Sequence, residues 1–377
     1  MKKALVFTVS LFLFCAVPFS VGAKEDGLTE EGYRQQLESY DLSFFESELD
    51  RETYSFLEEL GLNEFSLDGI TSLSLDRVLS LLIKILKNRA TKPLFGAQSV
   101  LIYIILSAFF QSVKSDMSDM NSLYSTVSAL AVSLVLAGEI SPTVSLAVSS
   151  VGVASDFVFA FVPVFCAIVA TSGGITQAFS SNAMLLTLAQ AYSVFASDFF
   201  TPVINCFLGI GICSGLRCEL QLQRVVAGIK KGIIFLLSLT CGAFVSVISI
   251  KTTVAARADI LGIRSIRFVI NSVVPVVGGA LSEGLLSIQS YTSMVRSSVG
   301  TVGIIAICLV FLPAILETAL WRLVMFFGIA LCDVFGEKNV SLMLEAFRDT
   351  ALLLNVVLII SMLCAVISFG ILTVSGG

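Results

Sequence analysis

The chain divides by its pattern of apolar and polar positions before any chemistry is considered. Met1, Lys2 and Lys3 precede an apolar run from Ala4 to Ser20, and Val21-Gly22-Ala23 puts small residues ahead of the polar stretch that begins at Lys24. A positive start, a short apolar centre and a small-residue site are the layout of a secretory signal. This predicts a signal peptide over residues 1–23, either cleaved or kept as a signal anchor, and in both cases export of the adjoining polar segment. Residues 24–73 are polar, with short amphipathic runs near Tyr33 and Tyr54. They are too few for an independent core. The expectation is an extracytoplasmic head that stays mobile until it meets a partner.

From Leu75 to Arg89 the pattern changes. Leu75, Val78, Leu79, Leu82, Ile83 and Leu86 recur at helical spacing, with Arg77, Ser80, Lys84, Lys87 and Asn88 on the other side. This predicts an amphipathic juxtamembrane helix over 74–92. It lies either on the membrane surface or against the membrane domain.

Beyond residue 93 apolar stretches dominate. Candidate spans are Leu94–Val113, Leu123–Ile140, Phe157–Thr171, Ile175–Ala196, Phe199–Gly215, Gly232–Ile250, Phe268–Leu286, Val299–Leu316, Ala319–Phe335 and Ala351–Val374. A crossing helix needs about 20 predominantly apolar residues, and several of these are short or interrupted. The fold class predicted is all-α: a polytopic transmembrane helix bundle over 93–377, with about seven to nine crossings. Orientation is not set by charge. The loops around Arg217–Lys231 and Lys251–Arg267 are both basic, yet an apolar segment able to cross lies between them.

Some of these helices carry breaking residues. Pro163 and Pro202 are 39 residues apart, and Pro275 and Pro313 are 38 apart. Small residues come after each first proline: Ser172-Gly173-Gly174 in one place, Gly278-Gly279 in the other. The spacing suggests an internal repeat of about 112 residues, a feature common in transporters. Proline frees a carbonyl one turn earlier and glycine permits unwinding. Unwound backbone at membrane depth must be covered by protein or line a cavity. Pro163, Ser172, Gly173, Gly174, Pro275, Gly278 and Gly279 are therefore the candidate helix breaks around a polar cavity, against the plainer reading of kinks and close packing.

Composition sharpens this picture. Hydrophobic residues make up 56% of the chain and charged residues 14%, against about 25% charged in an ordinary soluble domain. From Lys24 to Asp76 there are 15 acids and 3 bases, so an acidic head precedes a weakly basic body. There is no histidine. That excludes Ser-His-Asp and Cys-His catalysis and any histidine metal site. No phosphate-binding glycine loop and no CxxC occurs. The cysteines in the apolar segments are read as small buried residues. Neither enzyme activity, nor a cofactor, nor a metal, nor nucleic-acid binding is expected. Within the body, Glu283, Glu317 and Arg322 stand deepest among apolar residues, and an ionisable group there is costly, by roughly 2.5–3.5 kcal/mol. They are the candidate intramembrane polar residues. Glu317 and Arg322 are five apart, which is poor spacing for partners on one helix face.

Two blocks carry a family resemblance. Phe161-Val162-Pro163-Val164 and then Ala167 to Gly174 resemble the P-x-x-x-A-x-x-A-[ST]-S-G-G stretch of the stage III sporulation protein AE family. Ala255-Ala256, Arg264, Arg267-Phe268, Asn271 and Pro275-Val276-Val277-Gly278 resemble that family's block around its second proline. The resemblance implies a multi-pass protein of the mother-cell membrane around the forespore. It also implies partners: the sister proteins AA to AH of the same operon and the forespore protein Q. Together they would form a channel, or feeding tube, that sustains the forespore after engulfment, with energy from protein AA, which resembles a secretion ATPase. No catalytic residues carry over. The alternative reading is a stand-alone secondary transporter with a polar site at the broken helices.

Overall fold

In the computed structural model the described residues are 30–62, 65, 73–112, 118–176, scattered positions between 178 and 191, 201–216, 222–273 and 278–374. The predicted signal peptide and Pro275 lie outside them. Among the described residues the regular structure is helical and there are no strands. Three short helices form the head: α1 (Glu30–Leu37), α2 (Phe44–Glu48) and α3 (Arg51–Glu59). The body is built from α4 (Leu75–Ser112), α5 (Ser118–Thr171), α6 (Thr201–Leu216), α7 (Leu222–Val273), α8 (Gly278–Phe335) and α9 (Lys338–Val374).

The body packs around α8. The α8–α9 pair is an antiparallel hairpin closed by Gly336 at φ 75°. α4 and α5 flank α8, and α6 and α7 lie against α9. Among the described residues five helices are long and apolar enough to cross a membrane, over Asp76–Phe109, Thr126–Thr171, Arg224–Gly262, Gln289–Phe335 and Lys338–Ile367. Several segments that look separate in the sequence share one helix. Leu123–Ile140 and Phe157–Thr171 are both on α5, which runs through Pro142 and Pro163. Val299–Leu316 and Ala319–Phe335 are both on α8, which runs through Pro313. A charge such as Glu317 ends an apolar run on paper. In the fold it is inside a helix, because neighbouring helices supply its partners.

Helix length adds a constraint. The 47 residues of Gln289–Phe335 would run about 70 Å at 1.5 Å per residue, more than twice the roughly 30 Å of bilayer hydrocarbon. One bilayer cannot enclose all of α8. Its apolar character serves the protein core instead, since nearly all of its most apolar stretch is buried. α7 is the opposite case. Phe235, Leu236, Leu239, Val247, Ile250 and Val254 are exposed along it.

The head does not wait for a partner; it packs on the body. α3 buries Thr53, Phe56 and Leu57 at helical spacing and ends at Gly61, φ 73°, where Leu62 N–H closes on the Leu57 carbonyl at 2.9 Å. This is the left-handed turn that glycine makes readily. Phe45 meets Phe157 and Phe161 of α5 edge-on, with ring centroids 5.2 and 5.8 Å apart. Tyr33 is buried and donates to the Phe65 carbonyl at 2.6 Å. Burial pushes its phenol pKa up, against a smaller lowering by the neighbouring Ser298. The fifty-residue head has too small a core of its own, and it borrows one from α5 and α8. The amphipathic stretch of 74–92 is the first half of α4. It packs on the body through Val78, Leu81 and Ile85, and leaves Leu79, Ile83 and Leu86 exposed.

Contact between α4 and α8 is close at one point. A Cβ at Gly96 would collide with the ring of Trp321, whereas one at Gly138 of α5 would meet nothing. Gly96→Val should lower stability by about 1–3 kcal/mol through overpacking. Gly138→Ala should raise it by roughly 0.5–1 kcal/mol through helix propensity. Thermal unfolding of the two variants in one detergent checks both signs.

Candidate functional site

The buried apolar residues fall into two main clusters along the bundle. One joins the head to residues 147–169 of α5, 295–316 of α8 and 354–369 of α9. The other joins residues 100–104, 129–140, 321–332 and 340–351. Between them lies a polar layer. It contains Thr143, Glu317, Thr318 and Asn355, each no more than 3% exposed.

Glu317 is the centre of this layer. Its Oε1 accepts a hydrogen bond from Thr143 Oγ1 at 2.7 Å. Thr143 in turn accepts from Trp321 Nε1 at 2.9 Å. The direction is fixed by chemistry, because an indole N–H only donates and a hydroxyl has one proton to give. Thr143 must therefore spend its proton on Glu317. On the other side, Arg89 Nη1 of α4 lies 3.6 Å from Glu317 Oε2, and that oxygen has no hydrogen bond. Arg89 Nη2 donates to Glu52 of α3. One guanidinium thus faces a buried acid of the body and a half-exposed acid of the head. Nearby, Asn355 Nδ2 of α9 donates to the Ile315 carbonyl at 3.0 Å and to Thr318 Oγ1 at 2.9 Å. The layer binds the head, α4, α5, α8 and α9 into one connected set.

Burying a charge is costly unless it is paired and hydrogen-bonded. Glu317 meets that condition only when α4, α5 and α8 are all in place. No group of metal-binding side chains occurs among the described residues. What the layer can do is report assembly: it joins distant elements through one buried ion pair.

The structure separates the residues that the sequence groups. Glu317 pairs with Arg89 and not with Arg322. Five residues along a helix is a rotation of about 140°, so the two point to different sides of α8. Arg322 is half-buried beside Arg348 and Asp349 of α9. Pro163 lies on the exposed side of α5, which continues through it. Ser172, Gly173 and Gly174 form the turn that ends α5. Gly173 has φ 100°, its N–H closes on the Ala170 carbonyl at 3.1 Å, and Gly174 N–H closes on the Val169 carbonyl at 2.9 Å. Just past it, the Thr176 N–H donates to Asp259 of α7 at 2.8 Å. Gly278 and Gly279 open α8, and Glu283 comes later on the same helix, with its side chain outside the described residues. The cysteines also divide. Cys166, Cys308, Cys332 and Cys364 are buried as expected, whereas Cys206 and Cys213 are exposed on α6.

Glu52, Arg89, Thr143, Trp321 and Asn355 do not stand out in the sequence as site residues. Trp321 is the chain's one tryptophan, which is a signal of sorts. Nothing local marks Thr143, whose partner is 174 positions away.

Comparison with known proteins bears on what this assembly belongs to. A curated protein named stage III sporulation protein AE, from Bacillus subtilis (strain 168), is 24% identical over 217 residues, which is 57% of this chain and 53% of that protein. The matched stretch thus spans about half the length of that relative. No solved structure matches. Residues 61–376, which hold every member of the polar layer except Glu52, match the family described as stage III sporulation protein AE, and the chain belongs to that family.

Proposed function

We propose that this protein is an integral membrane component of the channel complex between mother cell and forespore, required for endospore development after engulfment. The observation that carries the reading is the family match over residues 61–376, with the B. subtilis relative beside it. The five long apolar helices fit a protein of a membrane. In this reading the chain is not an enzyme. It sits in the mother-cell membrane with its head on the far side of that membrane. Its partners are the sister proteins AA to AH and the forespore protein Q, and energy comes from the ATPase-like partner. The polar layer makes it a scaffold whose head and body are held as one piece. The permease alternative is not favoured: of its candidate polar residues, Glu317 is committed to Arg89 and Thr143.

The test is a clean deletion in the source organism, driven into sporulation. Engulfment should finish, a late forespore promoter should stay silent, and heat-resistant spores should fall steeply. The wild-type gene should restore both. Normal spore counts with a normal late promoter would sink the proposal.

A further inference from the structure

The turn between α8 and α9 buries an acid that the polar layer does not use. Gly336 takes the left-handed conformation, and Glu337 N–H closes on the Cys332 carbonyl at 2.9 Å. The Glu337 carbonyl accepts the Ser341 N–H at 2.9 Å, so α9 starts from this residue. The turn directs the Glu337 side chain inward, where it is 0% exposed. Its neighbour Lys338 is exposed.

Neither Glu337 oxygen has a hydrogen-bond partner, and neither has the buried Ser107 hydroxyl of α4. Ser107 is nonetheless the polar group that acts on the carboxyl. The other groups around the turn offer no compensation. From α8 come the buried Cys332 thiol and Asp333, which is exposed and accepts from the Ser341 hydroxyl at 3.1 Å. From α9 come Ser341, already bonded, and Lys338, in solvent. Among the described residues no cation pairs with Glu337. The negative end of α8 and the positive end of α9 meet at the turn and oppose each other there. An ion at this place is therefore unpaired, unsolvated and without a donor, whereas the neutral acid loses far less on burial.

We propose that Glu337 is a proton-binding site: its carboxyl holds a proton in the folded bundle, with Ser107 as its polar neighbour, and loss of that proton loosens α4 from the α8–α9 turn. The ligand is a proton from the aqueous phase. Burial pushes the carboxyl above the usual carboxylate range, against a smaller lowering by Ser107. With the folded value raised, the folded state binds more protons than the unfolded one above about 4.5. Stability is then full below that pH and is lost as pH rises toward and through the folded value.

The full chain in lipid nanodiscs, with isotope-labelled glutamate, gives the test. As pH is raised, the infrared spectrum should keep a protonated carboxyl band after the solvent-exposed glutamates have lost theirs, and that band should be absent in Glu337→Gln. The pH-dependent fall in thermal stability should flatten in the same variant. A spectrum with no band lost in Glu337→Gln, or an unchanged pH slope, overturns the proposal. Should Glu337→Gln fail to fold, Ser107→Ala decides it. Removing the carboxyl's polar neighbour must move the band, and an unmoved band overturns the assignment.

Discussion

Arg89→Ala is expected to cost about 2–4 kcal/mol of stability and to release the head from the body. Removing one partner from a buried pair typically costs about 3–5 kcal/mol. The loss here is smaller because the guanidinium is 19% exposed and stands 3.6 Å from Glu317. It falls unequally on the two acids. Glu52 is 39% exposed and returns to water. Glu317, 1% exposed, cannot, and keeps only the Thr143 hydroxyl. The check is a double-mutant cycle on the full chain by thermal unfolding. Glu317→Gln alone removes the charge but leaves an acceptor for Thr143. The pair Arg89→Ala with Glu317→Gln should then be more stable than the two single losses predict, because the orphaned charge has gone. Strict additivity would mean that Arg89 and Glu317 do not act on each other.

Phe45→Ala is expected to cost about 3–5 kcal/mol, the usual penalty for truncating a buried phenylalanine. Phe45 is 3% exposed and meets Phe65, Phe157 and Phe161 edge-on. Its ring is the contact that fills the gap between α2 and α5. The expected signature is regional. Amide hydrogen exchange should rise over residues 30–60 while α8 and α9 stay protected, because the head docks onto a bundle that stands without it. Phe159→Ala, at a 36% exposed position of the same helix as Phe157 and Phe161, should change little. If both variants behave alike, the head is not held by the Phe45 ring.

The contacts behind these two effects differ in how far the sequence reveals them. The aromatic docking of the head is half visible there. Tyr33, Phe45 and Phe56 give the head apolar faces, but the sequence does not say whether a partner protein or this chain's own body covers them. The body does so because α5 presents Phe157, Phe161 and Phe165 four residues apart on one face. The charged layer is visible only in part. Glu317 stands out as an acid among apolar residues, but its neighbour in the sequence, Arg322, is the wrong partner. Helix geometry turns the two apart, and the cation that meets Glu317 comes from α4, more than two hundred positions earlier in the chain.

The sequence by itself determined those features that depend on local chemistry and average solvation. Long apolar runs made the chain helical and suited to a membrane. The Ser172-Gly173-Gly174 turn ended a helix because glycine takes a positive φ at little cost, and the absence of histidine removed whole classes of catalysis. Its motifs also carried the family. Only the tertiary structure decided which apolar segments join into one helix, since a charge inside a helix is tolerated when distant chain brings it a partner. It likewise decided which acids are buried with partners, as at Glu317, and which are buried without, as at Glu337. Desolvation and pairing depend on atoms a few ångströms away in space, and those atoms are many residues away along the chain.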